Sequence, residues 1–126
     1  MIKGIGIDIV KVLRISRLIE KNGTAFLSRI FTLEEIELAR TKSMDPEYFA
    51  GRWAVKEAVS KALGTGIGKD CRWHDISTVS DSNGKPELLL SGNAAQQAKG
   101  MGITRFHCSI SHEKDFALAN VILEGE

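Results

Sequence analysis

The order of segments predicts an α+β fold in a single domain, residues 1–126, with a small, mostly antiparallel sheet packed around one long buried helix. Three observations predict it. An Ile/Val-rich segment opens the chain, and two further extended segments close it around a short turn. The helical patterns between them do not alternate regularly with strands, as a parallel βαβ sheet would require. The middle helix is apolar on nearly every side, the pattern of a buried helix.

Ile2 to Val10 reads as a strand, rich in Ile and Val with interspersed glycines. Lys11 to Lys21 carries Val12, Leu13, Ile15, Leu18 and Ile19 at helical spacing, and Gly23 ends that helix. Phe26 to Phe31 is a short second helical piece. Thr32 and Glu35 then fit a capping box for a third helix, to about Lys42. Asp45-Pro46-Glu47 starts the longest helix: a capping aspartate, a proline at the first helical position and an acid at the positive helix end. That helix runs to Leu63, and Gly64 stops it. Asp70 to Asp81 and Pro86 to Leu90 read as strands joined at Asn83-Gly84, a hairpin signal. Asn93 to Met101 is a short helix. Ile103 to Ser111 and Phe116 to Leu123 are the last strands, with His112 to Asp115 as their turn.

The composition excludes several classes. Net charge is +1, so no global field draws the chain to nucleic acid or membrane. No apolar run approaches the roughly 18 residues of a membrane span, and the first ten residues lack the features of a signal peptide. Cys71 and Cys108 have no metal or redox spacing and read as reduced core thiols of a cytosolic protein. His107 and His112, five apart on a strand, point to opposite faces and cannot chelate one metal. Nothing supports His74 as a ligand.

On the long helix, Glu57 falls among Ala50, Trp53 and Ala54, and Lys61 lies one turn further on the same line. Two readings stand side by side. One is an ordinary i,i+4 ion pair, worth about 0.2–0.5 kcal/mol on a solvated helix. The other is a site, because buried charges are costly unless paired or metal-bound. Lys56 and Arg52 take the ordinary exposed positions. Asp8 is an aspartate inside a strand, where that residue is disfavoured. It is either a solvent-facing strand residue or, with Glu57, half of a hard oxygen pair. Magnesium suits one or two carboxylates completed by waters and substrate phosphates. Gly64-Thr65-Gly66-Ile67-Gly68 follows the helix, and such a run lets backbone N–H groups approach a phosphate. It is no Walker A loop, since Lys69 precedes Asp70 and the loop leaves a helix. Gly4-Ile5-Gly6 is no dinucleotide fingerprint, since it lies within a strand.

Together these segments resemble one family. Gly4-Ile5-Gly6-Ile7-Asp8-Ile9, the run Phe49 to Ala62 with Trp53, Lys56, Glu57 and Lys61, the glycine run Gly64 to Gly68, and Ser109-Ile110-Ser111-His112 resemble the motifs of the holo-acyl-carrier-protein synthases. These are small bacterial 4'-phosphopantetheinyl transferases, and the likeness covers essentially the whole chain. It implies that Asp8 and Glu57 hold Mg2+ and that Lys61, Gly64, Thr65 and Gly66 contact coenzyme A phosphates. It implies that His112 helps bind coenzyme A. It further implies a cytoplasmic homotrimer with the site between neighbouring subunits, serving fatty-acid synthesis. The reaction implied is attack by a serine of apo acyl carrier protein on the β-phosphorus of coenzyme A, giving holo carrier protein and adenosine 3',5'-bisphosphate. Asp8, Glu57 and Lys61 are the catalytic candidates, and the base for the serine is either a metal-bound water or Glu57. Carrier proteins of this family's pathway are strongly acidic. The basic residues Lys11, Arg14, Arg17, Lys21 and Arg29, with Glu20 as the only acid among them, therefore become a docking face, with Arg14, Arg17 and Lys21 at its centre. Two alternatives remain: a metal-dependent nucleotide pyrophosphatase, and a non-catalytic module that binds carrier protein.

Overall fold

A computed structural model describes residues 1–126. Three antiparallel strands form the main sheet: β1 (Ile2–Lys11), β4 (Ile103–Glu113) and β5 (Phe116–Gly125), in the order β1-β5-β4. A separate hairpin pairs β2 (Ile76–Ser80) with β3 (Pro86–Leu90). Helices α1 (Val12–Ile30), α2 (Leu33–Arg40), α3 (Pro46–Leu63) and α4 (Gly92–Gly100) complete the chain. The expected α+β architecture around one long buried helix is the observed one.

The local signals act as their chemistry requires. Thr32 and Glu35 form both halves of the capping box, with Thr32 N–H donating to Glu35 Oε1 at 2.9 Å. Asp45 accepts the Glu47 N–H at 2.9 Å, Pro46 opens α3, and Gly64 closes it at φ 81°. Gly23 takes φ 55°, ψ −134°, which bends α1 where the sequence predicts a stop. The leading end of α1 has no side-chain cap and no acid in its first turn. The tip of the last hairpin supplies the missing acceptor, with Val12 N–H donating to Asp115 O at 2.8 Å.

Two boundaries differ from expectation. Asp70 to Asp75 is not strand. The Asp75 carboxylate accepts Arg72 N–H and Ala94 N–H, both at 3.1 Å, and this folds the segment into a 3-10 turn at Trp73–Asp75. His112 lies within β4 and not in the closing turn, because pairing with β5 continues to Glu113–Phe116.

The core forms where α3 crosses the sheet. Gly4 and Gly6 face it edge-on: a Cβ on Gly4 would overlap the Ala62 carbonyl oxygen, and one on Gly6 the Ala58 carbonyl oxygen. At the other end of α3, Gly51 leaves room for Ile110 and His112 of β4. Such a close approach needs the missing side chains. Gly6→Ala is therefore expected to cost about 1–3 kcal/mol or more through overpacking, seen as a lower midpoint in urea unfolding. A melt unchanged from the parent would show that strand and helix can part freely.

Lys56 and Arg52 are not the exposed charges the sequence predicts. Lys56 is fully buried, as is its partner Glu35, 2.8 Å away. Arg52 is buried with its guanidinium 3.9 Å from the centre of the Tyr48 ring. Lys56 faces α2, β2 and the turn at Trp73, which pack over the far side of α3. No helix is long and apolar enough to cross a membrane.

Candidate active site

The close packing of β1 on α3 brings Asp8 to the side of the helix that carries Glu57 and Lys61. Lys61 Nζ lies 3.0 Å from Asp8 Oδ1 and donates a second hydrogen bond, also 3.0 Å, to the Ile7 carbonyl. Asp8 is 15% exposed and Lys61 52%. Of three ammonium donors, two are engaged and the third is left for a ligand. Glu57 is half-buried. Burial and then the Asp8 charge push its pKa up, while Lys61 and Arg14 pull it down. The three residues predicted as catalytic are thus one electrostatic cluster.

Two carboxylates and no larger cluster of His, Cys, Asp and Glu form the donor set. That set fits magnesium, which takes one or two carboxylates and fills its octahedron with water and substrate phosphate. It does not fit a structural zinc site, which needs four protein ligands.

Arg14 sits beside this cluster, its guanidinium 5.4 Å from the centre of the Trp53 ring. With Lys11, Leu13, Arg17, Leu18 and Lys21 it lines a groove of about 420 Å³ along α1. The predicted docking residues therefore share one surface, and that surface adjoins Glu57.

Two groups of predicted coenzyme contacts lie outside this cluster within one chain. The N–H groups of Gly64, Thr65 and Gly66 do not form an open phosphate nest. They donate to the Lys61 and Ser60 carbonyls at 3.0, 3.1 and 3.2 Å, closing the helix end. What the loop offers a ligand is bare surface, since a Cβ on Gly64, Gly66 or Gly68 would touch nothing. His112 lies apart from the carboxylates. Its Nε2 donates to the Glu47 carbonyl at 3.2 Å, and its Nδ1 is 3.7 Å from the Glu47 carboxylate. The strand β5 separates it from β1, a gap of about 10 Å at the usual strand spacing. The residues that sequence reasoning missed are Glu35 and Lys56. The capping box was visible, but its second use of Glu35 depends on tertiary packing.

The fold thus sets a carboxylate–lysine cluster beside a basic groove. The 4'-phosphopantetheinyl transferase superfamily model matches residues 4–120, and the chain belongs to that family. Holo-[acyl-carrier-protein] synthases of Halothermothrix orenii and Koribacter versatilis are 49% and 46% identical to it. The alignments cover 98% of this chain, and 98% and 99% of theirs. The crystal structure of the Neisseria meningitidis holo-[acyl-carrier-protein] synthase superposes with a TM-score of 0.90 at 41% identity, covering 98% of this chain and 99% of that one. The Bacillus anthracis synthase in complex with CoA (3',5'-ADP) superposes with a TM-score of 0.82 at 43% identity, covering 100% and 99%.

Proposed function

We propose that this protein transfers the 4'-phosphopantetheine group of coenzyme A to a serine of apo acyl carrier protein, releasing adenosine 3',5'-bisphosphate. The observation that carries the reading is the Asp8–Lys61 contact at 3.0 Å with Glu57 in the same field, set against a basic groove. Relatives named for this activity, and a relative in complex with CoA, support it.

Asp8 and Glu57 would hold Mg2+, which when bound supplies Lewis-acid polarisation of the pyrophosphate and a template for the leaving group. The protein's own residues do the rest. Lys61 offsets the Asp8 charge and presents its free N–H to phosphoryl oxygens, where charge gathers during transfer. Thr65 and the bare glycine loop give the coenzyme a close approach to the end of α3. The basic side of α1 meets an acidic carrier and orients its serine toward the cluster.

A homotrimer accounts for the placement of His112. Ile5, Ile7 and Ile9 are 65, 57 and 60% exposed on the outer face of the sheet, beside Leu118 and Ile122 of β5. Covering such a patch by self-association is favourable. A site shared between subunits would let His112 of one chain approach the carboxylates of the next. Light scattering is expected to give three times the chain mass of 13.8 kDa. A monomer at working concentration would remove this reading. A cytoplasmic location goes with the two free cysteines. Cys71 is pushed up to about 11 by burial, so its thiol stays protonated.

The test is incubation of pure protein with magnesium, coenzyme A and apo carrier protein, followed by the intact mass of the carrier. A gain of one phosphopantetheine supports transfer. Breakdown of coenzyme A without carrier points to a pyrophosphatase, and no change in either points to a binding module.

The docking face has its own test. Arg14→Glu is expected to raise the Michaelis constant for carrier and weaken its salt dependence, but Arg14 also acts on Glu57. Lys21→Glu is the cleaner variant. It should raise the carrier constant severalfold and leave that for coenzyme A unchanged. An equal loss on both substrates would remove the docking role.

A further inference from the structure

Lys56 is fully buried in a helix whose other buried residues, Arg52 and Ser60 apart, are apolar. Its three donors are all used. Nζ reaches Glu35 Oε1 at 2.8 Å, the Trp73 carbonyl at 3.0 Å, and the Ile76 carbonyl. Glu35 accepts Thr32 N–H at 2.9 Å and Thr78 N–H at 3.0 Å besides the ammonium. One pair thus ties α3 to α2, to β2 and to the 3-10 turn.

Such a pair is weak evidence for stability, because desolvation offsets most of the attraction. Its better-attested use is to fix register. Here α3 needs a register. Gly51, Ala58 and Ala62 meet the sheet along one line, and the directional bonds on that side are at its two ends, from His112 to the Glu47 carbonyl and from Lys61 to Ile7 and Asp8. Lys56 projects about 140° around the helix from that line, and Glu57 about 120° on the other flank. The hydrogen bonds of Lys56 are directional, and they act on the side where the sheet cannot. A Glu carboxylate rides about 6 Å from the helix axis, so a rotation of only about 10° moves it about 1 Å.

We propose that the Glu35–Lys56 pair is a positioning device for the transfer site: it sets the rotation of α3 about its own axis and so holds Glu57 opposite Asp8. Neither residue touches substrate. The proposal rests on the reading of Glu57 and Asp8 as the carboxylates that hold magnesium.

The test removes both charges together, as Glu35→Gln with Lys56→Met, so that no unpaired charge stays buried. Melting, turnover, both Michaelis constants and the magnesium concentration for half-maximal rate are measured at a temperature where every protein is folded. The core truncation Ile103→Val serves as a control for general loss of stability. The double variant is expected to stay folded, to lose about 10²-fold in turnover, and to need about tenfold more magnesium, with the carrier constant unchanged. The control should keep the parent's turnover and magnesium requirement. A folded double variant with parent turnover and magnesium requirement overturns the proposal, as does a control that shifts equally. Should the double variant not fold, Lys56→Arg keeps a buried cation of different reach and is read in the same way. If that also fails to fold, the pair is a stability element and the positioning role falls. A parent without magnesium-dependent transfer would sink the underlying reading instead, which the same assays show separately.

Discussion

Replacing either carboxylate by its amide, Asp8→Asn or Glu57→Gln, is expected to lower turnover on the order of 10²–10³-fold with the fold intact. Each amide keeps the shape and loses the charge. Circular dichroism and rates at limiting and saturating magnesium check it, and turnover at the parent rate under limiting magnesium would remove that residue's metal role. Glu57 carries a second readout. Burial and the Asp8 charge raise its pKa in the folded protein. The folded state therefore holds this proton more tightly than the unfolded chain. That stabilisation is full below the ordinary carboxylate range and is lost as pH rises through the raised value. Once ionised, Glu57 is a liability to the metal-free fold. Metal-free Glu57→Gln is thus expected to melt higher than the parent, and added magnesium should raise the parent's melting temperature more than the variant's. Identical melts with and without metal in both proteins would contradict the site.

Two lysines five residues apart should fail in opposite ways. Lys56→Ala leaves Glu35 charged and buried without its partner, which is expected to cost about 3–5 kcal/mol. Lys61 is 52% exposed, and removing a surface pair of this kind changes stability by about 0–1 kcal/mol. Lys61→Ala should keep the parent's melt and lose rate in single-turnover assays. Urea unfolding and single-turnover kinetics on both variants separate the roles. A Lys61→Ala enzyme at the parent rate would leave Lys61 only its surface ion pair with Asp8 across the strand–helix contact.

The contrast between these lysines also shows what was legible beforehand. Helix ends were readable because caps are local: Thr32 with Glu35, Asp45 with Pro46, and Gly64 each act within a few residues. Asp8 and Glu57 could be singled out because each is a carboxylate among apolar neighbours. Lys56 could not, since its partners come from residues 35, 73 and 76, and periodicity does not say what packs on the far face. The distance from His112 to Asp8 was hidden for a related reason. Strand order is a matter of topology, and β5, last in sequence, lies between β1 and β4. Asp75 gave no sign that its carboxylate would gather two amides from different segments, and that gathering turned a predicted strand into a turn.

The hydrogen bond from Val12 to Asp115 has a practical bearing on anyone who wishes to label this protein. The two-residue tip at Lys114–Asp115 looks like a permissive place for an epitope or a fluorophore-bearing insert. It is in fact the N-terminal cap of α1, which has no side chain of its own for the purpose. Lengthening the tip would withdraw that acceptor and fray the leading turn beside Arg14. The turn at Asn83–Gly84 is the better graft point. There Asp81 Oδ1 accepts the Asn83 and Lys85 amides at 2.8 and 2.9 Å, so the turn is closed by its own residues.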